Sequence, residues 1–248
     1  ITGSWNQVPR RTPSNWIFLA LSGLCTGCSW LCYYRALQLS SVNRVAPIDK
    51  SSFLLTSILF LIFFFNDVTK GGDSLVIGML FTSMALMLGG TLLMAWPKKE
   101  GGRVSKKWIF YAVGSAVFAS LVSLFVKIGL QGISSDLGTF LRTVVVLIFS
   151  GAIALARKQM KGLEAVSPKS WVFLTLSGLA TGVAWLGEYY ALNMEGVNPV
   201  AVNAIGKLSI LLTMLFSATV LKERFSWKSL LGLGLLTGGI ILVVVFSL

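Results

Sequence analysis

The sequence holds no histidine. Its absence removes the imidazole on which most hydrolytic triads and many zinc sites depend. Cysteine is nearly as scarce, limited to Cys25, Cys28 and Cys32, which lie at i, i+3 and i+7 on one helical stripe. No second pair completes a metal site or a disulfide framework, and the CxxC falls in an apolar run where a reactive thiolate is disfavoured. Small helix-packing residues are the reading these thiols support. No phosphate-binding glycine loop, metal-ligand cluster or Ser/His/Asp set is present, so the sequence implies no cofactor, no bound metal and no enzyme.

Charge is also in short supply, at 12% of residues against about 25% in soluble domains. What is abundant is apolar surface: 55% of residues are hydrophobic and the mean hydropathy is +0.80. These residues come in successive runs of roughly twenty, the length that crosses about 30 Å of hydrocarbon. Eight spans are expected, at about 16–39, 44–65, 74–96, 107–130, 136–156, 170–193, 199–221 and 228–247. Trp16, Trp96, Trp108, Trp171 and Trp227 fall near run ends, as an interfacial aromatic belt requires, and Pro47 and Pro199 fall near helix starts. The net charge of +12 sits mostly in connectors, which fits lipid headgroups as partners and excludes a nucleic-acid surface. An all-α, multi-pass integral membrane protein follows, of the kind found in a bacterial inner membrane.

An internal repeat organises the chain. WIFLALSGLCTGCSW (16–30) matches WVFLTLSGLATGVAW (171–185) at ten of fifteen positions without a gap. The match continues through Ala36-Leu37 against Ala191-Leu192 and, after a two-residue insertion, sets Lys50 over Lys207. The second copy has five spans and the first has three, so residues 1–100 are expected to form an incomplete first repeat and 101–248 a complete second one. By that count the chain reads as part of a ten-span protein, with a true eight-span protein as the alternative. Ile1 to Ser4 lack the features of a signal peptide and read as the middle of something longer. Repeats with an odd number of spans enter the bilayer from opposite sides, the arrangement of many secondary transporters.

Lysine and arginine counts place Lys98, Lys99, Arg103, Lys106, Lys107, Arg157, Lys158, Lys161, Lys169, Lys222, Arg224 and Lys228 on one side, expected to be cytoplasmic. The other side has little beyond Arg10, Arg11 and Lys70. That puts the C-terminus outside.

The segment RALQLSSVNRVAPIDKSS (35–52) resembles the EamA family of the drug/metabolite transporter superfamily, as do SLFVKIGLQG (123–132), LRTVVV (141–146) and LKERFS (221–226). The likeness covers essentially the whole chain. It implies a ten-helix transporter of two inverted five-helix units, acting on a small-molecule substrate. Asn66-Asp67 stands where the second copy has Lys222-Glu223, and Val202-Asn203-Ala204 stands where the first has Pro47-Ile48-Asp49. Family members are described with both termini cytoplasmic, which the charge count here opposes.

A charge at the bilayer centre costs about 2.5–3.5 kcal/mol on insertion scales, so ionisable residues inside spans are candidates for function. Trp30, Trp185, Tyr34 and Tyr189 would supply amphipathic walls, with Glu188, Asn203 and Lys207 orienting a polar substrate. Arg35, Asp49, Lys50, Lys127 and Arg142 are further candidates. Asp49 and Lys50 have structural alternatives as a helix cap or an ion pair with Arg35, and Arg35, Lys127 and Arg142 could instead snorkel to an interface. Glu188 is the candidate for proton or ion coupling, because desolvation disfavours a charged carboxylate and so favours taking up a proton in the working range. Glu223 reads as structural. Gly23 and Gly27, repeated as Gly178 and Gly182, and a further pair, Gly234 and Gly238, are expected to bring helices together. A secondary transporter for a metabolite or drug-like solute is the leading reading, with a membrane acyl or glycosyl transferase and a non-transporting membrane partner as alternatives. Substrate, direction and oligomeric state stay open.

Overall fold

A backbone in hydrocarbon must satisfy its own N–H and C=O groups, and the apolar runs do so as helices. The computed structural model describes residues 13–95, 107–156, 166–223 and 225–247, among which no strand occurs. The helices are α1 (Pro13–Leu39), α2 (Val42–Lys50), α3 (Ser52–Phe63), α4 (Phe65–Thr69), α5 (Ser74–Ala95), α6 (Lys107–Gly129), α7 (Ser135–Ala156), α8 (Pro168–Asn193), α9 (Pro199–Lys207), α10 (Ser209–Thr219) and α11 (Trp227–Ser247). They form 8 stretches long and apolar enough to cross a bilayer. The protein is an all-α, multi-pass integral membrane protein. Lys98, Lys99, Arg103, Lys106, Arg157, Lys158, Lys161, Arg224, Arg10 and Arg11, on which much of the charge orientation rested, lie outside the described residues, as does Trp96 of the expected aromatic belt.

Two of the spans are broken at matched places. Arg44–Phe63 divides at Ser51 (φ −64°, ψ −9°) and Pro199–Thr219 at Leu208 (φ −58°, ψ −20°). At each break i→i−3 bonding enters, with Leu54 N donating to Ser51 O at 2.9 Å and Leu211 N to Leu208 O at 3.0 Å. Ser51 N is shared between Pro47 O at 2.9 Å and Ile48 O at 3.1 Å, while Leu208 N goes to Ile205 O at 3.0 Å. Such turns inside a long helix often mark a functional hinge or local strain. Each leading half, α2 or α9, is 9 residues long and ends on a lysine, Lys50 or Lys207, whose charge suits the negative end of the helix dipole. Asp49 and Lys50 therefore close α2 rather than begin it, because α2 already starts at Val42 and continues through Pro47.

Compactness divides the chain into two units, one of Ile1–Gly27 with Phe125–Met194 and the other of Cys28–Leu124 with Glu195–Leu248. Each draws on both sequence repeats.

In the first unit, α1 lies on α7. A methyl at Gly23 would stand 2.8 Å from Val145 Cγ1, and one at Gly27 would run into the Phe149 ring, so glycine is what permits the approach. Polar side chains satisfy the carbonyls that helix ends leave open. Asn15 Nδ2 donates to Gly129 O and Gln131 O, each at 3.0 Å, at the end of α6, and Asn193 Nδ2 donates to Ile133 O at 2.8 Å.

In the second unit, α5 runs along α11. Their contact is made by Gly90, Gly232 and Gly239: a methyl at Gly90 would stand 2.5 Å from Gly232 O, and one at Gly239 would stand 2.8 Å from Ser83 O. Gly234 and Gly238, expected to pack, face open space, because Gly232 and Gly239 are seven apart and own the facing stripe. Trp108 is another departure. It is 7% exposed and packs with Ala36, Val45 and Ala112 instead of standing in an interfacial belt. A bulky ring beside two alanines fills the space they leave.

Candidate functional site

Arg142 is the eighth residue of α7, about 11 Å along the helix from its first residue at 1.5 Å per residue. It is 2% exposed. Nη1 donates to the Tyr189 hydroxyl and Nη2 to Thr26 Oγ1 at 2.5 Å, while the guanidinium lies 4.2 Å from the centre of the Trp185 ring. Thr26 passes its own hydrogen to Ser22 O at 2.8 Å, and Ser135 Oγ donates to Tyr189 O at 3.1 Å, so both hydroxyl-bearing partners are fixed in place. The sequence put Trp185 and Tyr189 on one face at i and i+4. The fold adds the arginine that this face receives.

These contacts are all to neutral groups. Cation–π contact contributes up to about 2 kcal/mol when desolvated, and a hydrogen bond to a charged group about 1.5–3 kcal/mol. Set against the several kcal/mol needed to strip an ion of water, they leave Arg142 tolerated without a strong surplus. Nε is buried and has no acceptor. Among the described residues, no carboxylate pairs with this cation. Glu188 is half-buried beside Tyr189 and makes no hydrogen bond or ion pair among the described residues. Lys127, in the same unit, donates to Leu192 O at 2.8 Å and so serves the C-terminal end of α8.

A separate polar set occupies the second unit. Asp49 Oδ1 accepts from Ser115 Oγ at 2.7 Å, and Ser115 in turn meets Ser29 Oγ at 3.2 Å. Asp49 thus faces serine, and the ion pair with Arg35 is not made: Arg35 Nη1 turns to Gln38 Oε1 at 2.8 Å on an exposed surface. Lys207 Nζ donates to Ser52 Oγ at 3.1 Å. Asn203, one turn earlier, is buried, with Nδ2 donating to Ser123 Oγ at 2.9 Å and Oδ1 left without a donor. Trp30 and Tyr34 are exposed, and Lys50 is half-buried. The candidates therefore divide between the units: Arg142, Trp185 and Tyr189 meet in the first, while in the second Asp49, Asn203 and Lys207 each bond a different serine.

Thr26, Ser29, Ser52, Ser115 and Ser123 were not among the sequence candidates. Thr26 had a signal, since Thr26 and Thr181 hold register in the repeat, and Ser52 had another, since Lys-x-Ser recurs as Lys50-Ser51-Ser52 and Lys207-Leu208-Ser209. Ser29, Ser115 and Ser123 had none. Among the described residues, no group of three or more Cys, Asp or Glu side chains gathers to hold a metal.

The family model for the EamA-like transporter family matches residues 106–245. The chain belongs to that family. It is a membrane transporter. A Sinorhizobium protein named "Uncharacterized transporter in cobO 3'region" is 38% identical over 143 residues, 58% of this chain and 100% of the relative. A Listeria monocytogenes protein named "Putative sugar uptake protein" is 23% identical over 246 residues, 97% of this chain and 80% of the relative, and a Listeria innocua protein of the same description matches with the same identity and coverage.

Proposed function

We propose that this EamA protein is a secondary transporter that moves a small polar solute by alternating access, with its two Lys-x-Ser breaks working as latches that close in turn. The observation that carries this reading lies within the second unit. The breaks are twins in sequence and backbone, yet they are used unequally: Lys207 holds Ser52, while Lys50 makes no bond to its counterpart Ser209, which is exposed. Twin elements caught in unequal use are what an exchanging device requires. A fixed brace would need only one of them.

The family model's match to residues 106–245 supports residues 101–248 as one repeat unit, and the Sinorhizobium relative, matched whole over 143 residues, has about the length of one such unit. The Listeria names make sugars one class to be tried. Glu188 remains the candidate coupling group.

The test uses a background with Cys25, Cys28 and Cys32 replaced by alanine, in proteoliposomes loaded in turn with amino acids, nucleosides, sugars and cationic drugs. Lys207→Cys with Ser52→Cys, and Lys50→Cys with Ser209→Cys, are bridged by a short bifunctional thiol reagent. Alternating access predicts that each pair can be bridged, never both in one molecule, and that either bridge stops flux. Flux that continues with either pair bridged rejects it.

A further inference from the structure

Resting on the transport reading above, we infer that the solute carries an anionic group, a carboxylate in the first instance, and that Arg142 receives it together with the Tyr189 hydroxyl. The starting point is a charge imbalance inside the first unit. Arg142 is held by a threonine, a tyrosine and a tryptophan face, and among the described residues none of its partners is an acid. A guanidinium is always charged, so it cannot relieve burial by losing a proton as a lysine can. Its planar fork matches carboxylate geometry, which makes a carboxylate the natural completion of the cluster.

Two hydrogen-bond donors are available for that group. Nε–H is buried without an acceptor. The Tyr189 oxygen accepts from Arg142, which leaves its own hydrogen to be given away. Thr26 is spent, since its hydrogen goes to Ser22 O. Trp185 holds the guanidinium over its ring, and both it and Tyr189 are carried on α8. A neutral sugar would leave the cation uncompensated, whereas the corresponding sugar acid would neutralise it. The distinguishing property is charge, not skeleton.

A bare structural staple across α1, α7 and α8 would need the same hydrogen bonds and would respond to no solute. A lipid phosphate could also supply the anion. The experiment separates these. The purified chain is placed in nanodiscs of phosphatidylcholine alone and of phosphatidylcholine with phosphatidylglycerol. Thermal stability is then read against pairs matched in skeleton: glucose with glucuronate, glycerol with glycerate, benzamide with benzoate. At least one acid should raise the midpoint while its neutral partner does not. Its apparent affinity should fall about 30-fold or more in Arg142→Gln, as expected when one partner of a buried charge pair is removed, and less in Arg142→Lys. Tyr189→Phe keeps the arginine and removes one donor, so it should weaken the acid without abolishing the response even if Arg142→Gln fails to fold.

Equal responses to acid and neutral partners, or no response to any acid, overturn the inference. An acid response unchanged in Tyr189→Phe and in Arg142→Lys overturns it also. Stabilisation by phosphatidylglycerol that depends on Arg142, with no response to the acids, assigns the site to lipid instead. Flux of neutral solutes that Arg142→Gln leaves intact would keep the transport reading and discard this one. Arg142-dependent binding of an acid without flux would do the reverse.

Discussion

Glu223 and Val42 are joined across 181 positions of sequence: Glu223 Oε1 accepts the backbone N–H of Val42 at 3.2 Å, at the first turn of α2, while Oε2 takes the Ser217 hydroxyl at 2.8 Å. A carboxylate from the chain leaving α10 thus caps a helix in the first half of the sequence, where the helix dipole favours negative charge. Ser41, the residue at the N-cap position, makes no side-chain cap bond of its own.

Removing that cap should be felt as stability. Glu223→Ala is expected to lower unfolding free energy by about 1–2 kcal/mol, the range for lost helix caps, and Glu223→Gln by less, since its amide oxygen still accepts. Thermal unfolding in detergent measures both. Equal loss in the two variants would mean that the charge, not the hydrogen bond, holds α2.

Glycine-to-alanine changes should rank by what the added methyl meets. Gly90→Ala meets the Gly232 carbonyl oxygen at 2.5 Å, which is backbone and cannot turn aside, so a cost of about 1–3 kcal/mol is expected. Gly27→Ala meets the Phe149 ring, which can rotate or shift, and should cost less. Gly234→Ala meets nothing and should be neutral or stabilising by about 0.5–1 kcal/mol through helix propensity. The same unfolding assay ranks them.

Thr26→Val and Thr181→Val alter the same letter in the two copies of the repeat. Thr26 Oγ1 accepts from buried Arg142, and its loss leaves a charged donor unsatisfied, for an expected cost of about 1.5–3 kcal/mol. Thr181 Oγ1 only returns to Ser177 O within its own helix, so its replacement should change stability by about 0.5 kcal/mol or less. Equal effects would show that Arg142 does not depend on Thr26.

Glu188→Gln tests coupling apart from binding. With Glu188 as the proton-carrying group, uptake driven by a pH gradient should be lost while exchange of solute at equal concentration continues. Unchanged gradient-driven uptake removes Glu188 from that role.

The class of fold was legible in the residues alone. Eight apolar runs of bilayer length admit only helices in lipid, and the described residues form 8 such stretches. The repeat was legible as well, because Trp, Ser, Gly and Thr held in register cannot arise from general apolar composition. Asp49 shows where this reading ended. A cap or an ion pair with Arg35 is its structural reading from the sequence, but Ser115, 66 positions along the chain, takes the carboxylate instead.

By itself, then, the sequence determined solvent, the number of bilayer-length runs, the recurrence of one segment and the family motifs, all of which depend on local composition and period. Tertiary structure alone decided which copy of each repeated feature is used. Gly23 and Gly27 are packed while Gly178 and Gly182 face open space, Tyr189 meets an arginine while Tyr34 stands exposed, and Lys207 finds Ser52 while Lys50 finds no Ser209. The physical reason is that residues repeated in register have the same local propensities, and the neighbours brought to them by the rest of the chain make their environments differ.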